Sequence, residues 1–206
     1  GASGGAWQRL CAAIAKGREE HHEGVISFSH FLPRIELNPE KRFLYLPTLS
    51  KAVGSDYLKR RVAQLRPDLH VFGHTHFGWD STIDDVRYVQ IPLCYPQERE
   101  QRARSISIGP NGGIAMGPVC VWSAEFAHET ADSPAAALLP LQRNAHWSAY
   151  YRQNPRTPEN TAELSPWVAT RYKRVGPKVA CSSCGGTGSY KGRGSCRGCD
   201  STGAIG

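Results

Sequence analysis

The sequence predicts an α/β fold followed by a small metal-binding tail, and three patterns carry that prediction. Helix-period and strand-period stretches alternate through residues 6 to 72, as they do where helices cover a sheet. From Gly78 to Trp122 short alternating runs succeed one another with turn residues between them, which reads as antiparallel strands. Beyond residue 180, two Cys-x-x-Cys pairs stand 11 residues apart in a glycine-rich stretch.

In chain order, Trp7, Leu10, Cys11, Ile14 and Ala15 recur at helical spacing before the charged Arg18, Glu19 and Glu20, so residues 6 to 20 are expected to form an amphipathic helix. A turn at Glu23-Gly24 leads into a strand from Val25 to Ser29, which ends at His30 and is stopped by Pro33. Asn38-Pro39 and Pro47 break the next stretch, so 35 to 50 is expected to be mostly loop, with a short extended piece at Phe43 to Leu46. Ser55 is a suitable N-cap for a helix to Leu65. Tyr57, Leu58, Val62 and Leu65 would share its apolar face, with Lys59, Arg60 and Arg61 on the solvated one.

Pro67 ends that helix, and Leu69 to Phe72 is the next strand, with His70 inside it as a structural residue. It delivers Gly73-His74-Thr75-His76. In an extended backbone His74 and His76 would point to one face about 6 to 7 Å apart, a spacing suited to gripping metal. Gly78 to Ile83 and Val86 to Pro92 then form a hairpin around Asp84-Asp85. Tyr95 to Arg99 reads as a turn or loop, and Ser105 to Ile108 and Val119 to Trp122 as further strands around Asn111-Gly112-Gly113. Prolines at 134, 140, 155, 158, 166 and 177 mark 128 to 180 as a linker with one short helix near 141 to 152. Trp147, Tyr150, Tyr151 and Trp167 are unusual for a disordered linker, so parts of it are expected to pack back or to meet a partner. The expected organisation is a domain at 1 to 127, the linker, and a tail at 181 to 206.

An apolar fraction of 40% over 206 residues supports a modest core. No run of about 18 apolar residues occurs, so no membrane span is expected. Four of the seven cysteines are gathered in the tail, which speaks against a disulfide scaffold and favours a reducing, intracellular compartment. The net charge of +7 is uneven. Residues 1 to 127 hold 15 Lys and Arg against 13 Asp and Glu, while 128 to 206 hold 10 against 5. Zinc-bound thiolates would offset part of that tail excess, so nucleic-acid binding is only weakly indicated.

Strand then His30, helix, strand then Gly73-His74-Thr75-His76 resembles the C-terminal half of the calcineurin-like metallophosphoesterases over about residues 7 to 108. The resemblance implies a β-sandwich flanked by helices and a phosphate-ester substrate hydrolysed by a water that two divalent ions (Mn, Fe or Zn) activate. It assigns His30 and His74 to one ion and His76 to the other. Arg34 becomes a candidate for holding phosphate oxygens, against the alternative of a structural salt bridge. Tyr95 and Trp79 could wall the substrate site, with core packing favoured for both. The family's first half supplies Asp-x-His, Gly-Asp-x-x-Asp and Gly-Asn-His-Asp/Glu motifs, and no aspartate occurs between Gly1 and His30. The resemblance therefore implies a fragment that is inactive by itself.

In the tail, Cys181, Cys184, Cys196 and Cys199 can surround one zinc tetrahedrally, a closed and hence structural site. The repeat resembles the cysteine-rich module of the DnaJ co-chaperones, with two repeats where that family usually has four. A reading from another class is a binding module that recruits a protein or RNA through this tail and the basic stretch Arg171 to Lys178.

Overall fold

The computed structural model describes residues 2–21, 24–109, 113–115, 117–126, 138–175, 179–180 and 204–205. The four tail cysteines lie outside the described residues. These residues form a mixed α/β fold around a four-stranded mixed sheet, and the chain divides into two compact units.

The first unit comprises 1–40 and 48–157. Helix α1 (Ala2–His21) matches the expected helix with one further turn at its start. Trp7 Nε1 donates to Gln64 Oε1 at 2.8 Å, and Arg61 lies 4.5 Å over the Trp7 ring, fixing α1 to helix α2 (Asp56–Leu65). Arg18 bonds Asp68 at 2.6 Å, and the same carboxylate accepts the Val25 amide at 2.8 Å. One aspartate thus ties α1 to the entry of both neighbouring strands, β1 (Ile26–Phe28) and β2 (Leu69–Val71). Helix α2 starts where expected: the Ser55 hydroxyl accepts from the Leu58 amide at 3.2 Å. It stops at Arg66, whose left-handed φ of 48° satisfies the last carbonyls before Pro67.

Strands β3 (Trp79–Ile83) and β4 (Val86–Gln90) form the expected hairpin, with Asp84 and Asp85 both left-handed in a two-residue turn. The sheet order is β1-β2-β4-β3, with β1, β2 and β4 parallel and β3 antiparallel to β4. Leu69, Val89, Ile108, Leu139 and Ala145 form a buried cluster on it.

Several expectations are corrected. Residues 43 to 46 are not extended; the loop winds through single 3₁₀ turns at Ile35–Leu37, Lys41–Phe43 and Pro47–Lys51, as its prolines and absent alternation allow. Tyr95 to Arg99 is not a loop, because Pro96 at the first helical position and Glu98 at the third start helix α3 (Pro96–Gln101). Ser105 to Ile108 is no strand: its first residues belong to the single turn α4 (Ala103–Ile106). Among the described residues Val119 to Trp122 also lies outside any strand, and the hairpin joins the first sheet rather than founding a second one.

The region read as linker is largely built. Helix α5 (His146–Gln153) packs on β3, and Trp147, Tyr151 and Trp79 stack at centroid distances near 6 Å. Asp80, wholly buried, accepts from Arg87 Nε at 2.9 Å, Arg87 Nη2 at 2.7 Å and the Arg143 amide at 2.8 Å. Arg87 also reaches the Pro140 carbonyl, so one buried ion pair anchors residues 140 to 143.

The second unit comprises 41–47 and 158–206. Helix α6 (Pro166–Val175) lies inside the predicted linker, and its proline begins the helix rather than breaking one. Trp167 stacks on Phe43 at 5.9 Å and donates to its carbonyl at 3.2 Å. Two short strands, β5 (Val179–Ala180) and β6 (Ala204–Ile205), pair antiparallel and bracket in sequence the stretch that holds the four cysteines. Among the described residues no helix is long and apolar enough to cross a membrane.

Candidate metal site

The candidate site stands at the carboxyl ends of the three parallel strands, where open α/β sheets commonly bind ligands. Pairing between β1 and β2 continues past both strands: the Ser29 amide donates to Val71 O at 3.0 Å and the Gly73 amide to His30 O at 3.1 Å. That register sets His30 beside His74. Gly73 permits the approach, since a Cβ there would lie 3.3 Å from the His30 carbonyl oxygen. His30 Nε2 and His74 Nδ1 are 3.1 Å apart, and Phe31 leans on the His74 ring at 4.6 Å.

The backbone from His74 to His76 is not extended, which corrects the expected side-by-side display. His74 has φ 76° and His76 φ 55°, both left-handed, with a tight turn closed by the Thr75 amide on Gly73 O at 3.0 Å. Buried Gln90, at the end of β4, holds this turn: its amide donates to Thr75 Oγ1 at 3.1 Å and to Phe77 O at 2.6 Å. The two histidines therefore acquire different neighbours. His74 joins His30, whereas His76 Nδ1 meets Glu98 Oε2 at 2.8 Å.

Glu98 is braced on several sides. It accepts the Tyr95 amide at 3.1 Å and Arg102 Nη1 at 2.8 Å. Partial burial works against its charge, but these bonds and that to His76 outweigh it and hold the carboxyl below the usual range. Cys94, with φ 59°, completes a group in which the His76, Cys94 and Glu98 ligand atoms all lie within 4.8 Å of one another. Burial pushes the Cys94 thiol up to about 11, with Glu98 adding to the shift.

His70 has the structural role expected of it. It is 1% exposed, and its ring lies between Ser27 Oγ at 2.8 Å and Ser29 Oγ at 2.9 Å. Ser29 spends its proton on Phe31 O, so it must accept from His70 Nε2–H, leaving Nδ1 to accept from Ser27. Burial lowers this imidazole to about 4. Arg34 has the salt-bridge arrangement, bonding Asp84 and, at 3.0 Å, Glu36. Its burial disfavours charge, yet both carboxylates more than restore it and raise its pKa. Trp79 packs in the core at 2% exposure, while Tyr95 is exposed, its ring 5.8 Å from that of His76.

Cys94, Glu98 and Gln90 escaped sequence reasoning. The proline–glutamate spacing at 96 and 98 could have announced a helix and directed attention to Glu98; Gln90 had no such signal. A separate apolar cleft of about 680 Å³ between α1, α2 and β1 is lined by Trp7, Leu10, Phe28, Tyr57 and Val62 and offers no comparable ligand set. No protein-family description, curated protein or solved structure matches the chain.

Proposed function

We propose that this chain carries the histidine half of the metal centre of a calcineurin-like metallophosphoesterase, whose reaction is hydrolysis of a phosphate ester. The observation that supports this reading most is the meeting of His30 and His74, 3.1 Å apart, at the ends of adjacent parallel strands. Two imidazoles converging at this distance fit a borderline divalent cation such as Mn, Fe or Zn. His30 and His74 would hold one ion and His76 the other. When bound, the pair of ions would activate a water for attack on phosphorus and offset charge on the phosphoryl oxygens.

The chain's own residues orient this centre. Gln90 fixes the His74–His76 turn, and the backbone pairing through Gly73 sets the His30 carbonyl. Arg34, engaged by Glu36 and Asp84, serves the hairpin rather than a phosphate in this arrangement. A second metal site is proposed for the tail, where Cys181, Cys184, Cys196 and Cys199 would hold one structural zinc on the strength of their spacing.

The test is titration of the full chain with Mn²⁺ and Zn²⁺, comparing wild type with His30→Ala and His74→Ala. Each substitution should weaken one binding event more than the ~10–100-fold that loss of an outer-shell partner costs. Identical isotherms in all three proteins would remove the half-site.

A further inference from the structure

We infer that His76, Cys94 and Glu98 together form a binding site for one zinc-class divalent cation. The inference rests on the phosphoesterase reading only in taking His76 as a ligand; it requires neither His30 nor His74. Among the described residues, this is the group of three metal-ligating side chains whose donor atoms converge, all within 4.8 Å of one another. Its members come from the turn after β2, the loop after β4 and helix α3, so the parallel pairing of β2 with β4 brings them together.

The donor set selects the ion. A thiolate and an imidazole favour zinc over magnesium or calcium, and a single carboxylate adds charge without making the site hard. Three protein ligands leave a fourth position for water, the arrangement of zinc sites that remain open to exchange. His76 Nδ1 and Glu98 Oε2 bond each other at 2.8 Å, and a tetrahedral zinc would spread them to about 3.3 Å. Arg102 engages Glu98 Oε1, while Oε2 faces His76 and also accepts the Tyr95 amide. Binding ionises the Cys94 thiol, whose proton leaves to solvent, and shifts the proton that His76 Nδ1 shares with Glu98 to Nε2, which frees Nδ1 as the ligand atom. His76 and Cys94 both hold left-handed φ values, 55° and 59°, a conformation uncommon outside glycine that gathers at functional sites.

The test is Co²⁺ and Zn²⁺ loading of the full chain in wild type, Cys94→Ser, Glu98→Gln and His30→Ala. Metal per chain is measured after dialysis, with thiolate-to-cobalt charge-transfer absorption as the second readout. The tail cysteines also bring thiolates, so the informative signal is wild type minus Cys94→Ser. The expected result is one equivalent lost in Cys94→Ser together with a cobalt–thiolate difference band. Affinity should fall roughly 10-fold or more in Glu98→Gln, and this equivalent should persist in His30→Ala. Gln can still cap α3, so Glu98→Gln separates metal loss from helix loss, and circular dichroism confirms both variants are folded. Equal stoichiometry and identical cobalt spectra in wild type and Cys94→Ser would overturn the inference. Retention of the Cys94-dependent equivalent alongside no His30-dependent metal would sink only the phosphoesterase reading.

Discussion

The two ends of β4 handle polar side chains in opposite ways. At its start, Arg87 is locked to Asp80, whose carboxylate also takes the Arg143 amide, and all of this is packed beside Trp79, Trp147 and Tyr151. Beyond its end, His76, Cys94 and Glu98 are half-buried, Glu98 is shared among His76, Arg102 and the Tyr95 amide, and His76 and Cys94 hold left-handed backbone. Polarity at the first end is consumed by structure. Polarity at the second is half-buried and converges on one point, and that contrast separates a buried ion pair from a candidate site.

The largest expected effect is at the consumed end. Asp80→Ala would leave Arg87, 11% exposed, without its carboxylate partner and the Arg143 amide without its acceptor. Loss of one member of a buried pair costs about 3–5 kcal/mol. Urea denaturation should show that loss, while the folded fraction keeps its metal binding. A change below about 1 kcal/mol would mean that the pair is not the anchor described.

His70 sharpens the comparison by pH. Its imidazole is held at about 4 by burial against an ordinary value near 6.5, so between these values the unfolded chain binds a proton that the folded chain does not. Stability is therefore complete above about pH 6.5 and falls as pH drops toward 4, by on the order of 3 kcal/mol at most. Urea midpoints across that window, with the His70 C2 proton shift followed by NMR, check it. Titration of His70 near 6.5 would contradict its burial as a neutral, serine-held ring.

Much of this contrast can be read from residues. The helix at Ser55, the strands before His30 and His74, the two-residue hairpin turn and the structural role of His70 all follow from local pattern, because capping, period and turn chemistry act within a few residues. The site is legible only in part. His30 and His74 end consecutive strands, so order alone suggests that they meet. Glu98 and Cys94 reach His76 only because β4 pairs parallel to β2, a long-range fact that the alternation of the hairpin hides. Similarly, the prolines at 140 and 166 suggested a linker, whereas Arg87 and Phe43 give those stretches tertiary partners.

Gly73→Ala probes the join between backbone register and site. Its Cβ would sit 3.3 Å from the His30 carbonyl oxygen, so the neighbour has to yield by a few tenths of an ångström. The stability cost should stay near the ~1 kcal/mol lower end of overpacking, while displacement of His30 should weaken its metal binding about 10-fold, the scale of an outer-shell defect. Calorimetry against chemical denaturation separates the two. A full loss of fold would place Gly73 in the structural class with Asp80.

The smallest expected effect is the most telling. His74 holds φ 76°, which disfavours a side chain by about 1–2 kcal/mol, whereas glycine occupies that region freely but gains freedom in the unfolded chain worth roughly 0.5–1 kcal/mol. These terms oppose each other, so His74→Gly should leave stability within about 0.5 kcal/mol of wild type or slightly above it. Metal binding shared with His30 should nevertheless be lost. A residue whose removal leaves the fold unharmed and takes the ligand with it belongs to the candidate-site end of the molecule. Destabilisation by 2 kcal/mol or more would instead show that the 3.1 Å contact between His30 and His74 is structural packing.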